Sequence, residues 1–147
     1  MLSLSMIVRN EEASLAACLD SVNNIADEMV VVDTGSTDAT VAVATAAGAR
    51  VEQIEWPGDF APARNSALTF VKGDWVLVLD ADEQLRAEVI PQLQQLMAEP
   101  DVLVINLLRH ELGAAMAPYS RVSPVSYTHL RAHETRHDLV CRLLLEK

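Results

Sequence analysis

Three carboxylates follow directly on a run of five apolar residues, at Asp80, Asp82 and Glu83 with Ala81 between them. An unbroken apolar run such as residues 75–79 is typical of a strand buried on both faces. Ligands of open α/β sheets bind at the carboxyl ends of the strands. Residues two apart on an extended chain point the same way, with about 7 Å between their Cα atoms. Two such oxygen ligands suit Mg²⁺ or Mn²⁺ carrying substrate phosphates; the alternative is a solvated acidic turn.

A further carboxylate, Asp33, ends the apolar run at residues 29–32 and precedes the polar turn at residues 34–38. A carboxylate at this point can accept hydrogen bonds from a ribose or a base, and the turn offers backbone N–H groups at a helix start. The equally weighted alternative is that Asp33 orders the turn while Ser36 or Asp38 caps the helix. The first strand is not followed by Gly-x-Gly-x-x-Gly, which argues against a dinucleotide site.

Arg64 is the cation best placed for an anionic ligand. It lies one turn into a predicted helix after the third strand, and its planar guanidinium suits a diphosphate. For Arg64 taken alone, an ion pair with Asp59 or Asp33 that holds the loop is the favoured alternative. Trp56 and Phe60 are predicted to be core or loop anchors rather than a stacking platform.

Apolar patterning predicts which elements position these side chains. Strands are expected at residues 2–8, 29–32, 50–54, 75–79 and 102–108, and helices at residues 41–47, 61–71 and 88–98. A further helix is expected after the first strand, with Asn10 as N-cap and Cys18 as a buried core thiol. The alternation predicts an α/β fold: a mainly parallel, Rossmann-like sheet with helices on both faces.

The parallel arrangement predicts convergence of the candidate residues. Carboxyl ends of parallel strands share one edge, so residues 8–11, Asp33 and residues 80–82 are expected along a single rim. This convergence supports a ligand site more strongly than any one of the motifs does.

Composition limits the possible partners. The chain has 147 residues, enough for one domain at most, and a net charge of −10, which argues against nucleic acid and against an anionic membrane surface. The sequence has no run of 18 apolar residues, so no transmembrane segment is predicted. Two cysteines do not make a disulfide framework, and a cytoplasmic location is the default expectation.

The last 23 residues differ in composition from the rest, with three of the four histidines of the chain. His133 and His137 are spaced as on one helix face, which taken alone would favour a metal site. Residues 127–134 and 139–147, however, resemble a translated transposase-type sequencing adapter, and residues 135–138 fit its variable index. Residues 125–147 are therefore expected to be a non-native tail, and the natural reading frame to be truncated near residue 124.

Four segments, at residues 6–12, 31–38, 59–65 and 79–83, resemble the motifs of family 2 glycosyltransferases in order and spacing. The resemblance covers residues 3 to about 108 and is nearest the subgroup that includes the peptide S-glycosyltransferase of sublancin biosynthesis and proteins with a tetratricopeptide region. It implies a partial GT-A nucleotide-sugar domain at residues 1–124.

The resemblance implies roles at matching positions. Residues at the ends of the first two strands would contact the nucleoside: Val8, Asn10, Glu11 and Asp33. Arg64 would face the base or the diphosphate. Asp80-Ala81-Asp82 would be the Asp-x-Asp motif, with Asp80 near the ribose and Asp82 holding Mg²⁺ or Mn²⁺ bound to both phosphates.

The implied reaction transfers a sugar, with inversion, from a nucleotide-diphosphate sugar to a glycan, lipid or peptide acceptor. For this family the expected donor is a UDP-sugar. The general base would lie beyond residue 124, so no catalytic residue is nominated and the fragment is expected to bind nucleotide weakly without turnover. One alternative is a phosphatase of the haloacid dehalogenase type, whose Asp-x-Asp motif normally follows the first strand. A sugar nucleotidyltransferase would need a Gly-rich basic loop, which residues 6–12 lack. The remaining alternative is a non-catalytic nucleotide-binding domain.

Overall fold

The structure is a computed structural model that describes residues 1–110 and 141–146. Within these residues, strands and α-helices alternate along most of the chain. The strands are β1 Leu2–Val8, β2 Glu28–Asp33, β3 Arg50–Gln53, β4 Trp75–Val78, β5 Gln84–Leu85, β6 Ile105–His110 and β7 Cys141–Glu146. The helices are α1 Leu15–Val22, α2 Thr40–Ala46, α3 Phe60–Leu68 and α4 Ile90–Ala98, and a 3₁₀ turn at Ala87–Val89 leads into α4.

The main sheet has the strand order β3-β2-β1-β4, and every neighbouring pair is parallel. Its register places Val8 opposite Asp33 and Ser5 opposite Val78. Asp80, two residues beyond Val78, is therefore near the level of Ile7. The ends of β1, β2 and β4 thus lie at one edge, here called the carboxyl edge, as the sequence predicts.

Helices cover both faces of this sheet, which confirms the predicted fold class. Along β1, Leu4 and Met6 are buried in the larger core cluster, to which α1, α2 and α4 contribute. On the other face α3 packs through Ala67 against Val30 and Val32 of β2. The alternation of large and small residues along β1 explains the arrangement, because successive side chains of a strand point to opposite faces.

The fifth predicted strand does not extend the main sheet. It begins later than predicted, as β6 Ile105–His110, and belongs to a second sheet of order β5-β7-β6. Within this sheet β6 is parallel to β7, and β5 is antiparallel to β7. The two-residue strand β5 is too short to leave a periodic pattern, so the sequence did not predict it.

Strand β7 falls within the segment predicted to be an adapter-derived tail. The rest of that segment, including His133 and His137, lies outside the described residues, so the boundary at residue 124 stays a prediction. Of the helices that the structure describes, none combines the length and apolarity that crossing a membrane requires.

A hydrogen-bond network closes the opposite, amino-terminal edge of the sheet around Glu28. Its carboxylate accepts from Ser3 Oγ at 2.8 Å, from the backbone N–H of Lys72 at 3.0 Å and from Arg50 Nη2 at 3.2 Å. Burial opposes the charge, but these donors outweigh it and lower the pKa of Glu28. Glu28 accepts a backbone N–H, as carboxylates at the carboxyl edge also do, but it lies at the opposite edge of the sheet. It can therefore serve as a control position for substitutions at the carboxyl edge.

Candidate functional site at the carboxyl edge

Two loops meet at the ends of β1 and β2, and Asn10 joins them. Asn10 has a φ of +56°, a conformation in which asparagine is enriched. Its Oδ1 accepts the backbone N–H of Thr37 at 2.8 Å, and its own N–H donates to Ser36 Oγ at 2.9 Å. The prediction that Asn10 caps α1 is wrong: α1 begins at Leu15, and Ser14 occupies its N-cap position.

The next two residues extend this junction. The N–H of Glu11 donates to Thr40 Oγ1 at 2.7 Å, and the N–H of Glu12 donates to Asp38 Oδ2 at 3.2 Å. Glu12 Oε2 accepts in return from the N–H of Ala39 at 2.8 Å. Hydrogen bonds, chiefly from the Thr40 hydroxyl, lower the pKa of Asp38, so this carboxylate stays ionised and holds the start of α2. These hydrogen bonds therefore hold the two loops together as one surface.

Asp33 lies beneath this surface with only 2 % of its area exposed. Its carboxylate accepts the backbone N–H groups of Gly35 and Ser36, each at 3.2 Å, so it orders the turn that follows β2. Thr34 donates its N–H and its hydroxyl to the carbonyl of Val8, each at 3.0 Å. Because the Val8 side chain is buried in the core, Val8 supports the loops from below.

The Asp-x-Asp segment forms a turn beyond the end of β4 instead of extending the strand. The N–H of Glu83 donates to the carbonyl of Asp80 at 3.0 Å, which closes a four-residue turn. The extended geometry predicted for the two aspartates is therefore wrong. Within the turn Ala81 is buried, Asp82 is exposed, and the side chain of Asp80 is 35 % exposed. Asp80 and Asp82 thus present carboxylates at the surface.

Helix α3 brings Arg64 to this turn. Arg64 Nη2 lies 3.1 Å from Asp80 Oδ1, so the described ion pair joins neither Asp59 nor Asp33, the partners that the sequence suggested. Asp59 instead caps α3, where its Oδ1 accepts the N–H of Ala61 at 3.2 Å. The guanidinium consequently stands beside the Asp-x-Asp carboxylates.

Trp56 and Phe60 contact each other edge-on, with ring centroids 5.0 Å apart and an interplanar angle of 76°. Phe60 is 65 % exposed, so it is not a core anchor, and its contact with Trp56 agrees with the other predicted role, that of a loop anchor. Trp56 lies in the loop that follows β3, and Phe60 is the first residue of α3.

A thiol supports the Asp-x-Asp turn from the core side. Cys18 Sγ donates to the carbonyl of Asp80 at 3.5 Å and is fully buried, as predicted. Burial, followed by the charges of Glu83, Asp82 and Asp80, raises the pKa of Cys18 to about 12. The thiol stays neutral near pH 7, which excludes a role as a thiolate nucleophile.

The donor set at the turn fits a divalent cation that arrives with its ligand. Among the residues whose placement is described, no cluster of three or more histidine, cysteine or carboxylate side chains could hold an ion alone. Mg²⁺ typically binds through one or two carboxylates together with substrate phosphates and water. Asp82 and Asp80 offer that number of accessible carboxylates.

Comparison with known proteins identifies the family. The family model described as Glycosyl transferase family 2 matches residues 3–141.

The chain belongs to the family 2 glycosyltransferases. Among curated relatives, it is 44 % identical over 145 residues to a TPR repeat-containing protein of Synechococcus elongatus, covering 97 % of the chain and 36 % of that protein. It is 40 % identical over 97 residues to an uncharacterized glycosyltransferase of Rickettsia bellii, covering 66 % of the chain and 33 % of the relative. It is 31 % identical over 83 residues to the glycosyltransferase SunS of Bacillus subtilis, covering 55 % and 20 %. These matches confirm the predicted family.

The chain spans about a third of the length of the first two relatives. The family match and the Synechococcus alignment both extend into residues 125–147, and the adapter origin of those residues stays a prediction from sequence.

Solved structures share the fold. S. aureus TarS 1-349, in complex with UDP-GlcNAc, superposes with a TM-score of 0.67 and 25 % identity over 80 % of this chain and 36 % of that one. Glucosyl-3-phosphoglycerate synthase of Mycobacterium tuberculosis, in complex with Mn²⁺, UDP and glucosyl-3-phosphoglycerate, superposes with a TM-score of 0.58 and 26 % identity over 75 % and 44 %. The chain therefore shares the GT-A fold of these structures over most of its length.

Proposed function

We propose that the parent protein transfers a sugar from a nucleotide-diphosphate sugar, with a UDP-sugar as donor, and that this chain forms its nucleotide-binding half. One observation carries the proposal. The turn ordered by Asp33, the loops joined by Asn10 and the Arg64–Asp80 pair all lie at the carboxyl edge of one parallel sheet. β2 and β4 flank β1, so Asp33 and Asp80 lie about two strand spacings, or about 10 Å, apart. That span suits a nucleoside diphosphate. The UDP-GlcNAc and UDP complexes of similar folds support this choice.

The proposal divides the edge into two parts. The loops joined by Asn10 and the turn after Asp33 would bind the nucleoside. Glu11 and the backbone near Asn10 would lie at the rim of this nucleoside site. Asn10 Oδ1 is engaged by Thr37, so Asn10 acts chiefly by shaping the loops.

The diphosphate would lie over the turn between Arg64, Asp80 and Asp82. Bare carboxylates repel a diphosphate, so Mg²⁺ or Mn²⁺ held by Asp82 would offset their charge. Once bound, such a cation supplies Lewis-acid stabilisation of the departing nucleoside diphosphate.

The remaining features of the reaction belong to the same proposal. The acceptor, whether a glycan, a lipid or a peptide, would attack the anomeric carbon from the opposite side and invert its configuration. A hydroxyl acceptor needs a general base, and none is assigned among the described residues. Since the chain spans about a third of its relatives, we expect the purified chain to bind nucleotide without sugar transfer above an Asp82→Ala control. The cytoplasmic location stays a prediction from sequence.

Thermal unfolding with and without ligand tests the donor proposal. We expect UDP together with Mn²⁺ to raise the unfolding temperature, whereas UDP with EDTA, or Mn²⁺ alone, has little effect. At a ligand concentration of 100 times Kd the gain in unfolding free energy is about 2.7 kcal/mol.

Equal protection by UDP in EDTA would contradict the metal-bridged site. No protection under any condition would favour a domain that does not bind nucleotide. Release of phosphate from p-nitrophenyl phosphate would favour the phosphatase alternative, which membership of a glycosyltransferase family disfavours.

A further inference from the structure

Glu83 is bonded to the Asp-x-Asp turn in both directions. Its Oε2 accepts the backbone N–H of Asp80 at 3.0 Å, and its own N–H donates to the carbonyl of Asp80 at 3.0 Å. The side chain is fully buried, at 0 % exposure, whereas Asp82, its neighbour in the sequence, is exposed. The side chain of Glu83 is thus too deeply buried to touch a ligand above the turn. It is bonded to Asp80, whose own side chain is accessible to such a ligand.

A polar side chain that is buried this completely is stable only when hydrogen bonds replace its lost water. The bond to Asp80 is therefore a firm restraint. The carbonyl of Asp80 is restrained as well, because it accepts from Cys18 Sγ at 3.5 Å. Just beyond the turn, the N–H of Leu85 donates to Ser21 Oγ at 3.0 Å, which fastens the following residues to α1.

These contacts fix the direction in which the turn presents its two accessible carboxylates. Ala81, the residue between them, is 5 % exposed and packs into the core. The N–H and the carbonyl of Asp80 belong to the peptide planes before and after this residue, so the bonds to Glu83 and Cys18 restrain both planes. Metal affinity depends on such outer contacts, because they orient the ligands.

We infer that Glu83 is a positioning residue of this site, which orients Asp80 and Asp82 toward a cation-bound diphosphate through its hydrogen bond to the Asp80 amide. The inference rests on the proposed function. It assigns the effect of Glu83 to the reach of its acceptor oxygen rather than to its negative charge.

Two conservative variants separate reach from charge. Glu83→Gln keeps the chain length and an acceptor oxygen but removes the charge. Glu83→Asp keeps the charge but is one methylene shorter, so its carboxylate falls short of the Asp80 amide. By titration calorimetry of UDP in the presence of Mn²⁺, we expect the Kd of Glu83→Gln to stay within about threefold of that of the unchanged chain, and the Kd of Glu83→Asp to rise about tenfold.

Glu28 offers a matched control pair at the amino-terminal edge, because its carboxylate also accepts a backbone N–H, that of Lys72. Glu28→Gln and Glu28→Asp are expected to shift the unfolding temperature without ligand but to leave the Kd for UDP with Mn²⁺ unchanged. A loss that merely reflects weaker folding would appear in both pairs.

The outcomes are distinct. Glu83→Asp binding as tightly as the unchanged chain, or Glu83→Gln losing more affinity than Glu83→Asp, overturns the inference and leaves the proposed function in place. Failure of the unchanged chain to bind UDP with Mn²⁺ overturns the proposed function, and the inference with it.

Discussion

Replacing Asp82 with alanine will remove the Mn²⁺-dependent part of UDP binding and leave the stability of the unliganded chain unchanged. Asp82 is exposed, so its carboxylate contributes little to folding, but it is the proposed ligand of the cation. Without that ligand, no cation bound by Asp82 offsets the repulsion between the diphosphate and the carboxylate of Asp80. We expect the Kd for UDP in Mn²⁺, measured by titration calorimetry, to rise at least about 100-fold, or about 2.7 kcal/mol.

The control for this variant is Glu99→Ala, which removes another exposed carboxylate, at the end of α4. Glu99 lies near the amino-terminal edge, because the carbonyl of Met97, two residues before it, accepts from Nε1 of Trp75 at the start of β4. We expect this variant to bind UDP like the unchanged chain. If Asp82→Ala retained the Mn²⁺ dependence in full, Asp82 would not be the metal ligand.

Replacing Arg64 with alanine will weaken binding of UDP about tenfold to 100-fold and weaken binding of uridine by much less. The guanidinium lies 3.1 Å from Asp80 and adds positive charge where the diphosphate is proposed to lie. Uridine carries no phosphate, so the ratio of the two losses separates a diphosphate contact from a contact with the base. Competition titrations with both ligands measure this ratio.

Arg50→Ala is the matched control, because Arg50 also forms ion pairs, with Glu28 at 3.2 Å and Glu52 at 2.9 Å, at the other edge of the sheet. It should change stability by at most about 1 kcal/mol and leave both affinities as they are. Equal losses for UDP and uridine in Arg64→Ala would place the guanidinium at the base instead of the diphosphate.

The elements of the main sheet could be predicted because their signals are local. Strand β1 has the predicted bounds, and β4 begins at Trp75 as predicted, because apolar runs bounded by polar residues mark buried strands. Gly48, with a φ of +82°, follows α2 as predicted. The late start of α4, at Ile90, agrees with Pro91 in its first turn.

Features that depend on distant contacts could not be predicted in the same way. Asn10 is a residue type that favours N-cap positions. Its hydrogen-bond partners Ser36 and Thr37, however, lie 26 and 27 residues away, and Asn10 bonds to them in a left-handed conformation. Strand β6 pairs with residues 141–146, a contact that no local periodicity encodes.

In the site itself, residue types were more predictable than their partners. The sequence located Arg64 and the Asp-x-Asp motif but did not connect them, because the approach of α3 to the turn after β4 is a tertiary contact. Glu83 was counted only as a third carboxylate of the cluster. Its spacing of three residues from Asp80 is the one local signal that it closes a turn.

Localising a bound Mn²⁺ ion by paramagnetic broadening of amide NMR signals tests the central claim most directly. With UDP present, substoichiometric Mn²⁺ is expected to broaden the amides of residues 80–83 most strongly and those of residues 33–36 next. Amides at the amino-terminal edge, such as those of Ser3 and Glu28, should stay sharp. Broadening centred at that edge, or unaffected by UDP, would contradict a cation-bound nucleotide diphosphate at the carboxyl edge of the sheet.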